Sequence, residues 1–242
     1  MPDNSNTPTE RANQTSIITH AVLVGLTPLI PVPFIDDLVK GYFQRRLVRV
    51  LAAAHNLQLK PEEIAALAED TGGGCLRGCL IQTLIFPLKM ILRKIFFFLE
   101  WKRAVDLTSH TYHQGYLVDY ALREGWMGAS SGTPQRSAAE IHAAIEEVCR
   151  AAPIKPVETA IGASFRQSKS MLRSGARILG RAFRRVTGKA DDARLAAAVA
   201  SVEEEETREI GGVVRQLQKA IEAVPDEHFR NLRKQLTARL KL

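Results

Sequence analysis

Asp106, His110 and His113 are the residues of this chain whose types and spacing come nearest to a reactive set. Asp106 and His110 are four apart and His113 follows three later, so a helix sets all three within two turns. An imidazole pair with a carboxylate could hold a metal or relay a proton. The order is not His-Glu-x-x-His, in which two histidines four apart flank a glutamate base. The expectation is therefore surface or interhelical hydrogen bonding, with no metal ligands and no catalytic residues assigned. Cys75 and Cys79 are also four apart, but no His or acid follows at ligand spacing. Buried packing is expected for them. Three cysteines give no disulfide framework and suit a reducing compartment. Asp36 and Asp37 are adjacent, so on a helix they point about 100° apart and cannot face one substrate together. Gly72-Gly73-Gly74 has no Gly-Lys-Ser/Thr after it and no strand before it, which makes it a break between helices rather than a phosphate loop. There is no Gly-x-Ser-x-Gly elbow and no Cys with an arranged His partner. No cofactor is expected. His20, inside an apolar run, reads as a core residue with its hydrogen bonds met.

The elements that carry these residues read as helices throughout, and the fold class is an all-α multi-helix bundle. Residues 1–14 are polar, lack a secretory pattern and are expected as a disordered tail. From Ala12 to Ile35 there is no formal charge. That length approaches the roughly 20 residues that span a bilayer, yet Pro28, Pro31 and Pro33 cut it. What remains is a short apolar helix over 16–26, of the kind found buried, re-entrant or interfacial. Asp36 and Asp37 then open a cationic helix that ends near His55-Asn56. Pro61-Glu62-Glu63 starts a short one.

The stretch 78–101 is apolar almost all round, with Lys89 and Arg93 as a narrow polar stripe. Such a helix is deeply buried or lies in lipid. Leu84, Phe86, Ile91, Phe96 and Phe97 are its expected lipid-inserting residues. Helix continues to about Glu124, with Tyr112, Tyr116 and Tyr120 on one face, toward lipid headgroups or a neighbouring helix. Residues 128–136, rich in Gly, Ser, Thr and Pro, read as a linker between a membrane-associated helical domain over 15–127 and a helical region over 137–242. The second part opens with a capping box, Ser137 and Glu140. Between Thr159 and Val186 there is no acid, and Lys169, Arg173, Arg177 and Arg181 recur every four residues opposite an apolar face. This predicts one basic amphipathic helix over 158–186, suited to anionic headgroups or an acidic partner. Acidic helix over 191–223 could fold back on it. A last helix follows Pro225.

The segment over 21–59 resembles a bacterial helical domain family of unknown function, found in inner-membrane proteins and behind small GTPase domains. The likeness rests on the apolar approach, the turn Pro31-Val32-Pro33-Phe34-Ile35-Asp36, and the following helix with Gln44-Arg45-Arg46. The later apolar block with Pro87 and the Gly115/Tyr116 helix is similar in order to EcsC-like membrane-associated proteins. The resemblance implies a helical, membrane-associated, non-catalytic role and transfers no active site. With a formal net charge of +7, anionic partners are favoured. The expected function is a membrane-associated adaptor or envelope-homeostasis protein on the cytoplasmic side of a bacterial inner membrane, bound to its anionic surface and to a protein partner. The alternative is a cytoplasmic helical scaffold or regulator that binds an acidic protein. A third reading is a metal-dependent enzyme built on Asp106, His110 and His113. Nucleic acid is disfavoured, because no zinc finger or aromatic-rich strand accompanies the basic helix.

Overall fold

The computed structural model describes residues 8–30, 36–68, 93–127, 135–152, 154–183, 192–200 and 203–241. Among them there are ten α-helices, one 3-10 turn and no strand. In chain order these are α1 Pro8–Leu26, α2 Asp36–Ala54, α3 Pro61–Ala68, α4 Arg93–Arg123, α5 Ala138–Ala151, α6 Lys155–Gln167, α7 Lys169–Phe183, α8 Asp192–Ala200, α9 Glu203–Glu222 and α10 Asp226–Lys241. The all-α class holds.

Local chemistry explains most of the boundaries. Helix α1 runs into the turn Thr27–Leu29, where Pro28 takes a first-turn position that needs no N–H. Thr27 Oγ1 donates to the Val24 carbonyl at 2.8 Å, and Ile30 leaves in extended conformation. Helix α2 ends on Asn56, in the left-handed region at φ 56°. The Asn56 amide donates to Ala53 and the Leu57 amide to Ala52, which meets two otherwise orphaned carbonyls. Gly125, at φ 71°, ends α4 the same way, with Trp126 reaching back to Ala121. The Lys60 amide donates to Glu63 at the start of α3. Ser137 and Glu140 form the capping box of α5 in both directions.

Three stretches differ from the sequence expectation, the first being the helix expected over 191–223, which is described as two, α8 and α9. Helix α1 reaches back to Pro8, into the stretch expected as tail. Asn13 Nδ2 donates to Asp119 at 2.7 Å, and Glu10 pairs with Arg123 at 2.9 Å, both on α4. The single basic helix expected over 158–186 is two helices. Ser168 interrupts it at φ −105°, fully buried, with its hydroxyl donating to Gln216 of α9.

Helix α4 is the axis, about 46 Å long at 1.5 Å per residue. Helix α1 lies along it, and α2 completes a central trio. The approach is close. A Cβ on Gly25 would collide with the Thr108 hydroxyl and stand 2.9 Å from the Ala104 carbonyl. One on Gly115 would stand 2.9 Å from Leu47 and 3.1 Å from Ile17. Helices α3 and α5 cover one side of the trio, and α6, α7 and α9 another, while α10 rests on α5 and α4. One connected apolar core includes residues from all ten helices, from Ile17 to Leu240, on both sides of 128–136.

The apolar half of α1 lies inside this core. Ile18, Ala21, Val22, Val24 and Leu26 have no exposed surface. Its lack of charge is therefore explained by packing against protein on all sides. No helix among the described residues is long and apolar enough to cross a membrane.

Candidate functional site

Helix α4 separates Asp106, His110 and His113 instead of gathering them. Asp106 is exposed. His110 Nε2 lies 3.2 Å from Glu146 Oε1 on α5, and this contact holds the Glu146 carboxyl below the usual range. His113 turns toward α10, where its Nε2 meets His228 Nε2 at 3.1 Å. The tautomers follow from the hydrogen bonds. His113 Nδ1 donates to the Ser109 carbonyl at 2.7 Å, so its Nε2 is the acceptor and His228 supplies the proton between them. Burial lowers the pKa of His113 to about 4 and also lowers that of His228. Among the described residues no three His, Cys, Asp or Glu groups converge as a metal site would need.

His20 is buried within α1, and its pKa is lowered to about 4 chiefly by that burial. Its Nδ1 donates to the Ser16 carbonyl at 2.8 Å, while Nε2 is buried without a partner among the described residues. The expectation of a satisfied core histidine is met at one nitrogen only. Cys149 is buried on α5, its thiol pushed up to about 12 by desolvation.

The cationic row survives the break at Ser168. Lys169, Arg173, Arg177 and Arg181 all fall on α7 and all are exposed. They cover about 18 Å of helix. The opposite face, with Leu172, Ala176, Leu179 and Phe183, is buried in the core. Ile161 and Phe165, from the first part of the stretch expected as one helix, belong to α6 and are also fully buried. An amphipathic helix can spend its apolar face on lipid or on protein, and α7 spends it on protein. Arg177 Nε donates to the Arg173 carbonyl at 3.3 Å. Lys169 Nζ stands 5.6 Å from the centre of the Trp101 ring, which packs edge-on against Phe165 at 6.0 Å. The row therefore begins beside the N-terminal part of α4. That part carries Leu99, the one large apolar side chain among the described residues that is well exposed, with Lys102 and Arg103 also exposed.

Leu84, Phe86 and Ile91, together with Cys75, Cys79, Pro31 and Pro33, lie outside the described residues. Phe96 and Phe97 fall in the first turns of α4 and Asp36 opens α2, but their side chains are also outside the description. Asp37 is exposed and Pro28 is buried. Tyr112, Tyr116 and Tyr120 face α10: Tyr116 packs on Phe229 at 5.2 Å, and the Tyr120 hydroxyl meets Thr237 Oγ1 at 3.0 Å.

Comparison with protein-family models, with curated proteins and with solved structures gave no match to this chain.

One concavity was not expected from the sequence. It is a cleft of about 580 Å³ bordered by α1, α4, α9 and α10. Its lining comes from stretches about a hundred residues apart in the chain, so no local motif announces it. The one sequence signal was the tyrosine face of α4, which supplies Tyr112 and Tyr116 to its lining.

Proposed function

We propose that the protein is a non-catalytic adaptor that rests on the cytoplasmic face of a bacterial inner membrane, bound peripherally to anionic lipid. The row Lys169, Arg173, Arg177 and Arg181 carries this reading. It is exposed, its backing is fixed in the core, and it starts beside the apolar end of α4. A rigid helix that displays four cations on one face meets phosphate headgroups without an ordering cost at the moment of contact. Each cation near an anionic surface contributes about 1 kcal/mol, so four give about 4 kcal/mol, or roughly a thousandfold in partition. Leu99 adds a small apolar foothold and no span. The likeness of residues 21–59 to a membrane-associated family points the same way.

Co-sedimentation with vesicles tests this. The protein should pellet with phosphatidylglycerol-containing vesicles, stay in solution with phosphatidylcholine alone, and be released by high salt. The variant K169E/R173E/R177E/R181E should lose binding while keeping its helical spectrum. Binding that survives these four changes, or no binding to anionic vesicles at low salt, overturns the membrane reading. An acidic protein would then be the partner to seek for this face.

A further inference from the structure

The cleft between α1, α4, α9 and α10 combines an apolar floor with polar groups, some of which have no hydrogen-bond or ion-pair partner among the described residues. Ile17, Tyr112, Ile221 and Val224 form the floor and are buried. Tyr116 and Phe229 form a half-exposed aromatic wall, their rings tilted by 51°. Tyr112 lies beneath, stacked at 6.5 Å on Tyr116. The volume, about 580 Å³, is in the range of small-molecule sites.

The charges at the cleft divide into committed and uncommitted ones. Glu10 is held by Arg123 at 2.9 Å. Asp119 accepts from Asn13 at 2.7 Å and lies 2.9 Å from His55 Nε2. Glu222 and Asp226 are exposed at the mouth, where α9 gives way to α10. Among the described residues Arg11 and Arg230 make no ion pair, and Arg233 makes only a ring contact, 6.0 Å from the centre of Tyr120. The Tyr116 hydroxyl has no hydrogen-bond partner among them either, although the positive fields of Arg233 and Arg123 act on it. Burial keeps that phenol protonated, so it is a donor. A phenolic O–H and a guanidinium line one cleft beside the aromatic wall, and neither has an acceptor among the described residues. An oxyanion satisfies both, and the apolar floor needs a hydrocarbon or ring body.

We propose that this cleft binds an amphipathic organic anion, its apolar body on Tyr112, Phe229, Ile221 and Val224 and its single carboxylate or phosphate between the Tyr116 hydroxyl and Arg233. Arg11 and Arg230 draw the head group in at the mouth. Carboxylate and phosphate share this chemistry, and two probes separate them: decanoate for a fatty-acid-like ligand, decyl phosphate for a lipid monoester.

Titration calorimetry on the full chain, below the micellar range of each probe, decides the matter. At least one of the two should bind saturably, and the tighter one names the head group. Decanol lacks the charge and decyltrimethylammonium reverses it, so both should bind at least tenfold more weakly. Acetate and inorganic phosphate lack the body and should give no heat. Dodecanoate or dodecyl phosphate should bind more tightly than its ten-carbon counterpart, by roughly fourfold per added methylene at most. Tyr116→Phe keeps the ring on Phe229 and removes only the hydroxyl, and should weaken binding about tenfold, the value of one hydrogen bond to a charged group. Arg233→Gln should weaken it at least as much. Equal binding of decanol or the ammonium probe, unchanged affinity in Y116F and R233Q, or no saturable binding each overturns the proposal. Should either variant lose its thermal transition, the wild-type order of anion over alcohol over cation still decides. Vesicle binding of folded Y116F should match wild type, which separates this site from the surface of α7.

Discussion

Acidification should unfold this protein through two histidines that the core holds neutral. His20 and His113 are both buried, and each has a pKa lowered from 6.5 to about 4. In the unfolded chain they accept protons below about pH 6.5. In the folded protein they stay neutral until about pH 4. Across that window the unfolded state binds more protons, so stability is fully present above pH 6.5 and falls as pH drops toward 4. At 1.36 kcal/mol per pH unit, a displacement of about 2.5 units is worth about 3 kcal/mol for each histidine. Their sum, about 6 kcal/mol, is comparable with the whole stability of many domains. Urea unfolding followed by circular dichroism at stepped pH between 7.5 and 4 measures the slope directly. Wild type should lose up to about 2.7 kcal/mol per pH unit in the middle of the window. The variant H20Q/H113Q cannot titrate at these positions, and Gln at 113 still offers an acceptor to His228. Its slope should flatten to the remainder set by His228 and, at lower pH, by Glu146. A double variant with the wild-type slope would show that these two imidazoles are not held neutral by burial and would refute the argument.

Other expectations follow from packing and caps. Gly25→Ala drives a methyl into Thr108 and against the Ala104 carbonyl. It should cost at least about 2 kcal/mol by urea denaturation, and Thr108→Ala in the same chain should recover part of the loss. Ser137→Ala removes one arm of the capping box of α5 and should lower stability by about 1 kcal/mol. Cys149, buried with a thiol pushed up to about 12, should resist iodoacetamide at pH 8 in the folded protein and react once urea is added. Peptide mass mapping reads both states, and labelling without denaturant would contradict the burial.

The parts of this fold legible in the sequence are those set by adjacent residues. Asn56, Pro61, Gly125, Ser137 with Glu140, and Pro225 each fix a helix end through their own backbone or side chain, and each end lies where that chemistry puts it. The break at Ser168 carries no such signal. No Pro or Gly stands there, and the buried Ser168 hydroxyl instead bonds to Gln216, 48 residues on. For the same reason His113 looked like a partner of His110, four residues from Asp106, when its contact is His228, 115 residues away. The apolar run over 16–26 was ambiguous in a different sense. A segment without charge fits lipid or a protein core equally well, and only its neighbours decide. The cleft drew one visible contribution, the tyrosines of α4, while Arg11 comes from α1 and Arg230 and Arg233 from α10.

The central place of α1 has a consequence for how the chain is made. Leu26 of this first helix closes against Gly175, which in turn meets Ile210. At about 5 to 20 residues per second, a ribosome needs roughly 10 to 40 s to supply the last of these after the first. For that time the buried, uncharged end of α1 has emerged but lacks part of the surface that covers it. A nascent chain in this condition is a substrate for chaperones or for a nearby bilayer. The order of synthesis therefore exposes, in passing, the very segment that the finished fold conceals.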